Sequence, residues 1–141
     1  MRILVDTNVF LDVLLKREGF YEESRQFFMN CFGRHDQLLV TSMSLRDIDY
    51  LVSRHTHDHS KGKKAIGRIY GIVWRIVGID TDDAINALLD HDGDYEDALI
   101  MESAERCMSD AIVTNNIKDF GESRVRAFTP REINRIFASL A

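Results

Sequence analysis

Five short apolar runs, each followed by polar residues that turn a chain or cap a helix, punctuate this sequence. They are Ile3-Leu4-Val5 before Asp6-Thr7-Asn8, Leu38-Leu39-Val40 before Thr41-Ser42, Val77-Gly78-Ile79 before Thr81-Asp82-Asp83, Ala111-Ile112-Val113 before Thr114-Asn115-Asn116, and Val125 to Phe128 before Thr129-Pro130. A continuous apolar run of this length is the pattern of a strand covered on both faces, not of a strand with one wet face. The segments between the runs have helical spacing. Val9, Leu11, Val13, Leu14 and Leu15 give the first helix its apolar side, and Lys16-Arg17-Glu18-Gly19 stops it. Phe27, Phe28, Cys31 and Phe32 mark a second helix, ended by Gly33-Arg34-His35-Asp36, and Leu45, Ile48, Leu51 and Val52 mark a third. A polar stretch from Arg54 to Lys64 is expected to separate that helix from one running through Ile66, Ile69, Tyr70, Val73 and Trp74. Further helices open at Thr81-Asp82-Asp83, at Asp94-Tyr95-Glu96-Asp97 and at Pro130, whose fixed φ suits a first helical position. Strands alternating with helices require crossover connections. The expectation is therefore an α/β fold, a three-layer α/β/α sandwich around a parallel sheet of about five strands, with residues 1–141 forming one domain.

A chain of 141 residues, 45% hydrophobic and 29% charged with a single proline, has the balance of an ordinary folded protein with one core. Its formal charge of −5 excludes nucleic-acid binding by overall electrostatics, which relies on Lys and Arg displacing counterions from phosphates. Any such contact must be local. Lys61, Lys63, Lys64, Arg68 and Arg75 form the one basic concentration, read equally well as a solvated helix face or as an approach for RNA. Cys31 and Cys107 form no CxxC pair and sit in apolar helical patterns, so buried free thiols and a reducing, cytoplasmic setting are expected. No apolar stretch has the length of a signal peptide or a membrane span.

In parallel α/β folds ligands bind beyond the carboxyl ends of the strands, so the polar residues just after the apolar runs are the first candidates. Asp6 and Asn116 follow the first and fourth runs, Asp97 opens the helix before the fourth, and Asp47 rides on the helix after the second. Singly, each has an ordinary explanation. Asp6 is a good helix cap, Asp97 can be the third helical residue after an Asp94 cap, Asp47 competes with Asp49 on a solvated face, and Asn116 suits a turn. Together, carboxylates brought within ~4 Å would repel by roughly 4 kcal/mol per pair at an effective dielectric near 20, and a divalent cation removes that repulsion. An oxygen-only donor set favours Mg²⁺ or Mn²⁺ over Zn²⁺.

Ile3-Leu4-Val5-Asp6-Thr7-Asn8-Val9-Phe10-Leu11-Asp12 resembles the opening of the PIN (PilT N-terminus) domain family. Asp94-Tyr95-Glu96-Asp97-Ala98-Leu99 resembles its central acidic segment, and Ile112 to Phe120 followed by Phe128-Thr129-Pro130 resembles its fourth-strand segment, so the likeness spans essentially the whole chain. The resemblance implies a Mg²⁺- or Mn²⁺-dependent ribonuclease, of the kind found as VapC-type toxins of toxin–antitoxin pairs. It also implies an RNA substrate, an antitoxin partner and a homodimer. Carried over position by position, Asp6 and Asp97 match the metal-binding acids. Asp47 stands where the family usually has Glu, and Asn116 where many members have a fourth Asp, with Asp119 or Asp94 as substitutes for the missing charge. Thr7 and Thr114 match polar residues that support the acids.

Other readings carry less. His55, His57 and His59 alternate, which leaves only His55 and His59 on one helix face, too few for zinc. They are read as a solvated helix end, or as the basis of a metal-free ribonuclease that would leave a cyclic phosphate. A phosphoacceptor receiver domain is disfavoured because a single Asp follows the first strand. Loss of catalysis in favour of a protein-interaction role, and RNA processing without an antitoxin, are the two alternatives to a toxin.

Overall fold

The computed structural model describes residues 1–141. β1 (Arg2–Val5) leads into α1 (Thr7–Leu14) and α2 (Tyr21–Arg34), followed by β2 (Gln37–Thr41), α3 (Ser42–Thr56) and α4 (His59–Tyr70). Then come β3 (Arg75–Val77), α5 (Thr81–Asp90), α6 (Tyr95–Arg106), β4 (Ala111–Val113), a 3-10 turn over Ile117–Phe120, β5 (Ala127–Phe128) and α7 (Pro130–Leu140). The five strands form one sheet in the order β3-β2-β1-β4-β5 with every pair parallel, so the expected α/β/α sandwich is the observed fold.

The pleat explains why the strands are apolar throughout. Ile3 and Val5 on β1, Leu38 and Val40 on β2, and Ala111 and Val113 on β4 all join the larger core, with Phe10, Phe27, Ile48, Ile69 and Ile133 from the helices. The alternate residues Leu4, Leu39 and Ile112 face the other way and pack with Ile100, Met101 and Ala104 of α6. Both faces are covered, as an all-parallel sheet requires.

Helix starts follow the capping residues read from the sequence, except that α5 is capped by Asp80, which the sequence reading did not name. Asp6, Thr41, Asp80, Asp94 and Thr129 are N-caps whose side chains accept backbone N–H bonds, and Asp80/Asp83 and Thr129/Glu132 complete reciprocal capping boxes. Four boundaries differ from expectation. The stretch from Arg54 to Lys64 is helical apart from a break at His57-Asp58, where His57 takes φ 55° and Asp58 caps α4 by accepting from Ser60 N at 2.9 Å. His55 and His59 consequently lie on different helices, and all three histidines are exposed. α2 continues through Gly33, and His35 (φ 60°) supplies the left-handed residue that ends it. The third strand is Arg75–Val77 rather than Val77 to Ile79, and Trp74 leaves the helix to donate its backbone N–H to Leu38 O at 2.8 Å. Leu39 of β2 is the register partner of Arg75, which fixes where the edge strand begins. β5 is likewise trimmed to Ala127–Phe128.

The chain runs β1, β2, β3 toward one edge and then returns to place β4 and β5 on the other. The strand order therefore reverses between β1 and β4, and the crevice at their carboxyl ends is the place such a fold offers a ligand. Asp6 and Thr114 are the residues that immediately follow those two strands. No helix is long and apolar enough to cross a membrane.

Candidate active site

Asp6 sits in that crevice, 7% exposed, with both carboxylate oxygens engaged. Oδ1 accepts from Thr7 N at 2.8 Å, as a helix cap would. Oδ2 accepts from Thr114 Oγ1 at 2.8 Å and from Asn8 Nδ2 at 3.2 Å, which capping does not require. Burial raises the Asp6 carboxyl above its ordinary range, the three hydrogen bonds oppose that shift, and the charge of Asp119 adds to it. Asp6 is thus a fixed acid pushed against ionisation by its surroundings and toward it by its donors.

Asp97 occupies the first turn of α6, one turn after the Asp94 cap, whose Oδ1 accepts from Asp97 N at 3.0 Å. α6 has no reciprocal capping box, so the Asp97 carboxylate is not committed to its own helix start. It accepts no hydrogen bond from the protein. Burial, then the charges of Asp94, Asp6 and Asp119, push its carboxyl up to about 6. Asp94, Asp97, Lys118 and Asp119 share the lining of a depression of about 200 Å³. Asp119 lies on the 3-10 turn that Asn116 caps.

Asp47 on α3 faces a partner that the sequence did not single out. The carboxyl of Glu96, beside Asp97, hydrogen-bonds with that of Asp47. That bond is the main cause lifting Glu96 to about 7, with burial and the charges of Asp47, Asp94 and Asp97 adding to it. Glu96 therefore keeps its proton up to near neutral pH. Glu96 stood in the acidic segment, but as a helix-start residue, and no local pattern marks its approach to Asp47.

The remaining candidates divide. Thr114 is fully buried and bonded to Asp6. The hydroxyl of Thr7 turns away to Ser44 Oγ at 2.9 Å, and its contribution to Asp6 is its backbone N–H. Asn116 is exposed; its N–H donates to Thr114 Oγ1 at 3.1 Å and its side chain bonds to nothing in the protein. Asn115 is the asparagine that turns inward, donating Nδ2 to Asp12 Oδ2 at 2.7 Å and its backbone N–H to Asn8 Oδ1 at 3.1 Å. Asn8, Asp12, Ser44 and Asn115 were not among the sequence candidates. Elsewhere, Phe27 is buried and Phe32 is 84% exposed, while Cys31 and Cys107 are free thiols, Cys31 buried and Cys107 half-buried.

No three His, Cys, Asp or Glu side chains converge closely enough to enclose an ion by themselves. The donor set fits a hard cation that takes one or two carboxylates and keeps several waters, which is the habit of Mg²⁺. Asp97, partly buried, unpartnered and raised by three neighbouring acids, is the group such a charge would relieve.

The fold agrees with known proteins. VapBC2 from Rickettsia felis, solved bound to a DNA fragment from the promoter, superposes with a TM-score of 0.67 at 17% identity over 92% of this chain and 98% of that one. VapBC-1 from nontypeable Haemophilus influenzae gives a TM-score of 0.69 at 12% identity over 93% and 99%. VapC20 from Mycobacterium tuberculosis, described as a Sarcin-Ricin loop cleaving toxin, gives 0.62 at 13% identity over 78% and 86%. No curated protein sequence matches significantly. The sequence model of the PIN domain matches residues 2–118, the span that carries Asp6, Asp47 and the acidic start of α6, and the chain belongs to the PIN domain family.

Proposed function

We propose that this chain is a Mg²⁺- or Mn²⁺-dependent endoribonuclease, a single cytoplasmic domain over residues 1–141 acting as the toxin of a toxin–antitoxin pair. The observation that carries the reading is the pairing of Asp6 with Asp97 at the β1/β4 switch point, one acid locked by three donors and the other left without a protein partner. Asp6 and Asp97 would hold the ion, with Asp94 or Asp119 supplying the charge that Asn116 lacks. When bound, such an ion supplies Lewis-acid polarisation of a phosphodiester and lowers the pKa of water.

The chain's own residues do the rest. Thr114, Asn8 and the Thr7 N–H keep Asp6 from rotating, so its remaining lone pairs are aimed before substrate arrives. Asp47 and Asn116 orient the attacking water at the rim, and the raised carboxyl of Glu96 gives that rim a group able to accept or release a proton near neutral pH. Attack by water on the phosphorus leaves a 5′-phosphate on one RNA fragment. Exposed Lys61, Lys63, Lys64 and Arg68 on α4 offer local positive charge on an acidic protein. The partners in this reading are RNA, an antitoxin protein and a second copy of the chain. The fold likeness to VapBC assemblies supports the antitoxin.

Asp6→Asn with RNA and Mg²⁺ tests the reading: cleavage is lost, whereas undiminished cleavage by the purified variant removes Asp6 from the mechanism. A second reading, a PIN-fold interaction module with weakened catalysis, is favoured by the neutral, exposed Asn116. Absence of both a calorimetric signal and a thermal shift with Mn²⁺ would select it. An RNA-processing role without an antitoxin is separated by the neighbouring reading frame, where a short DNA-binding partner marks a toxin.

A further inference from the structure

Asp12 is fully buried on α1, and the nuclease reading gives it no task. Its Oδ2 accepts from Ser24 Oγ at 2.6 Å and from Asn115 Nδ2 at 2.7 Å. Its Oδ1 has no hydrogen bond, although Arg17 Nη1 lies 3.4 Å away. A buried carboxyl oxygen left open is costly, and a hydrophobic residue would serve a purely structural strap between α1 and α2 at least as well.

What Asp12 fixes is the far end of a chain of hydrogen bonds that ends on Asp6. By holding the Asn115 amide inward, it sets the backbone just after β4 so that the Asn115 N–H meets Asn8 Oδ1 at 3.1 Å. A backbone N–H can only donate, so the side of Asn8 facing it must be the carbonyl oxygen, and the amide orientation of Asn8 is decided. The Nδ2 of Asn8 is then left to donate to Asp6 Oδ2 at 3.2 Å. We propose that Asp12 is a positioning residue for the metal-binding acid Asp6, acting through Asn115 and Asn8. The proposal rests on the nuclease reading above and adds a residue to it.

Without Asp12, the Asn115 amide has no buried acceptor and turns toward solvent, the strand end relaxes, and Asn8 is free to flip and present its oxygen to Asp6. An acceptor facing an acceptor would displace the Asp6 carboxylate. Asp12→Ala is therefore expected to weaken Mn²⁺ binding and lower kcat for RNA cleavage by about 10–100-fold, the range typical of outer partners of metal ligands, with KM for RNA unchanged. Asp12→Asn keeps an oxygen opposite Ser24 and Asn115 and restores most of both. Ser24→Ala removes the other donor to the same oxygen without touching Asn115, and leaves kcat and Mn²⁺ affinity at the wild-type level.

A readout on the metal-free protein separates positioning from packing. The side-chain amide resonances of Asn8 are expected to shift in Asp12→Ala and to stay in place in Ser24→Ala. Should Asp12→Ala not fold, Asn115→Ala cuts the same chain at a half-buried position and carries the same expectation. Unmoved Asn8 resonances together with wild-type kcat and Mn²⁺ affinity would overturn the proposal. A wild-type protein that neither binds Mn²⁺ nor cuts RNA would instead overturn the nuclease reading, and the Asn8 resonances would still decide whether Asp12 holds Asn8.

Discussion

The hydroxyl of Thr114, the residue just after β4, donates to Oδ2 of Asp6 at 2.8 Å across the point where the strand order reverses. Two residues 108 positions apart in sequence are thereby joined at the place where a parallel sheet opens to ligands. The same oxygen of Thr114 accepts from Asn116 N at 3.1 Å, so one hydroxyl both orients the acid and curls the chain into the turn beyond it. Thr114→Val preserves shape and removes both bonds. The expected cost is about 2 kcal/mol, typical of a hydrogen bond to a charged group, with cleavage reduced about 10–100-fold. Denaturant unfolding and a cleavage assay on the same preparation check the two parts separately.

The acids at the crevice make the metal-free protein sensitive to pH in a stated direction. Asp97 is raised from 3.8 to about 6 and Glu96 from 4.5 to about 7. Raised folded-state values mean that the folded protein holds protons more tightly than the unfolded chain, so this contribution to stability is complete below about pH 4 and is lost as pH rises through 6 and 7. The melting temperature in EDTA is therefore expected to fall between pH 5 and pH 8 by the share these two groups carry. Mn²⁺ at pH 8 should restore it, by up to about 2.7 kcal/mol at a hundredfold excess over Kd. A melting temperature that Mn²⁺ leaves unchanged at pH 8 would count against a cation between the acids.

Glu96 and Asp47 are expected to respond to a change that removes charge without removing shape. Glu96→Gln ends the repulsion with Asp47 and should raise the metal-free melting temperature at pH 8 by about 2–4 °C, with no gain at pH 4, where the Glu96 carboxyl is already protonated. Cleavage should fall in the same variant if the Glu96 proton is used in the reaction. A stability gain of equal size at both pH values would show that packing, not charge, is the cause.

The α3–α4 pair depends on one glycine. A Cβ on Gly62 would press against the side chains of Ser53 and Asp49 and lie 2.7 Å from the Asp49 carbonyl oxygen. Gly62 therefore sets how closely the two helices approach, and Gly62→Ala is expected to destabilise by about 1–3 kcal/mol despite alanine's better helix propensity. Thermal denaturation checks this, and a neutral or stabilising result would mean the helices can part at little cost.

Much of this architecture was legible because its causes are local. The runs at Ile3, Leu38 and Ala111 are apolar on both faces of the pleat, and Asp6, Thr41, Asp94 and Thr129 announce helix starts by their capping chemistry. The edge strand was misplaced by two residues because its register is set by pairing with β2, not by the apolarity of Val77 to Ile79. The polar stretch after Arg54 reads as a loop, yet its charged side chains lie on the wet side of two helices that pack through Val52, Ala65 and Ile69.

The site was legible only in part for the same reason. Asp6 and Asp97 are flagged by position relative to strand and helix ends. The bond from Asn115 to Asp12 spans 103 residues, and that between Glu96 and Asp47 joins two helices with no common periodicity, so neither leaves a trace in local pattern. Asn116 drew notice as the residue in the acid's place, whereas Asn115 makes the buried contacts.

The central claim is that Asp6 and Asp97 hold a cation that drives hydrolysis of RNA, and the chemistry of the product tests it most directly. Purified protein incubated with RNA and Mg²⁺ or Mn²⁺ should yield fragments bearing 5′-phosphates, and EDTA should abolish their formation. Cleavage that persists in EDTA, or fragments ending in 2′,3′-cyclic phosphates, would contradict the account and point to a metal-free mechanism.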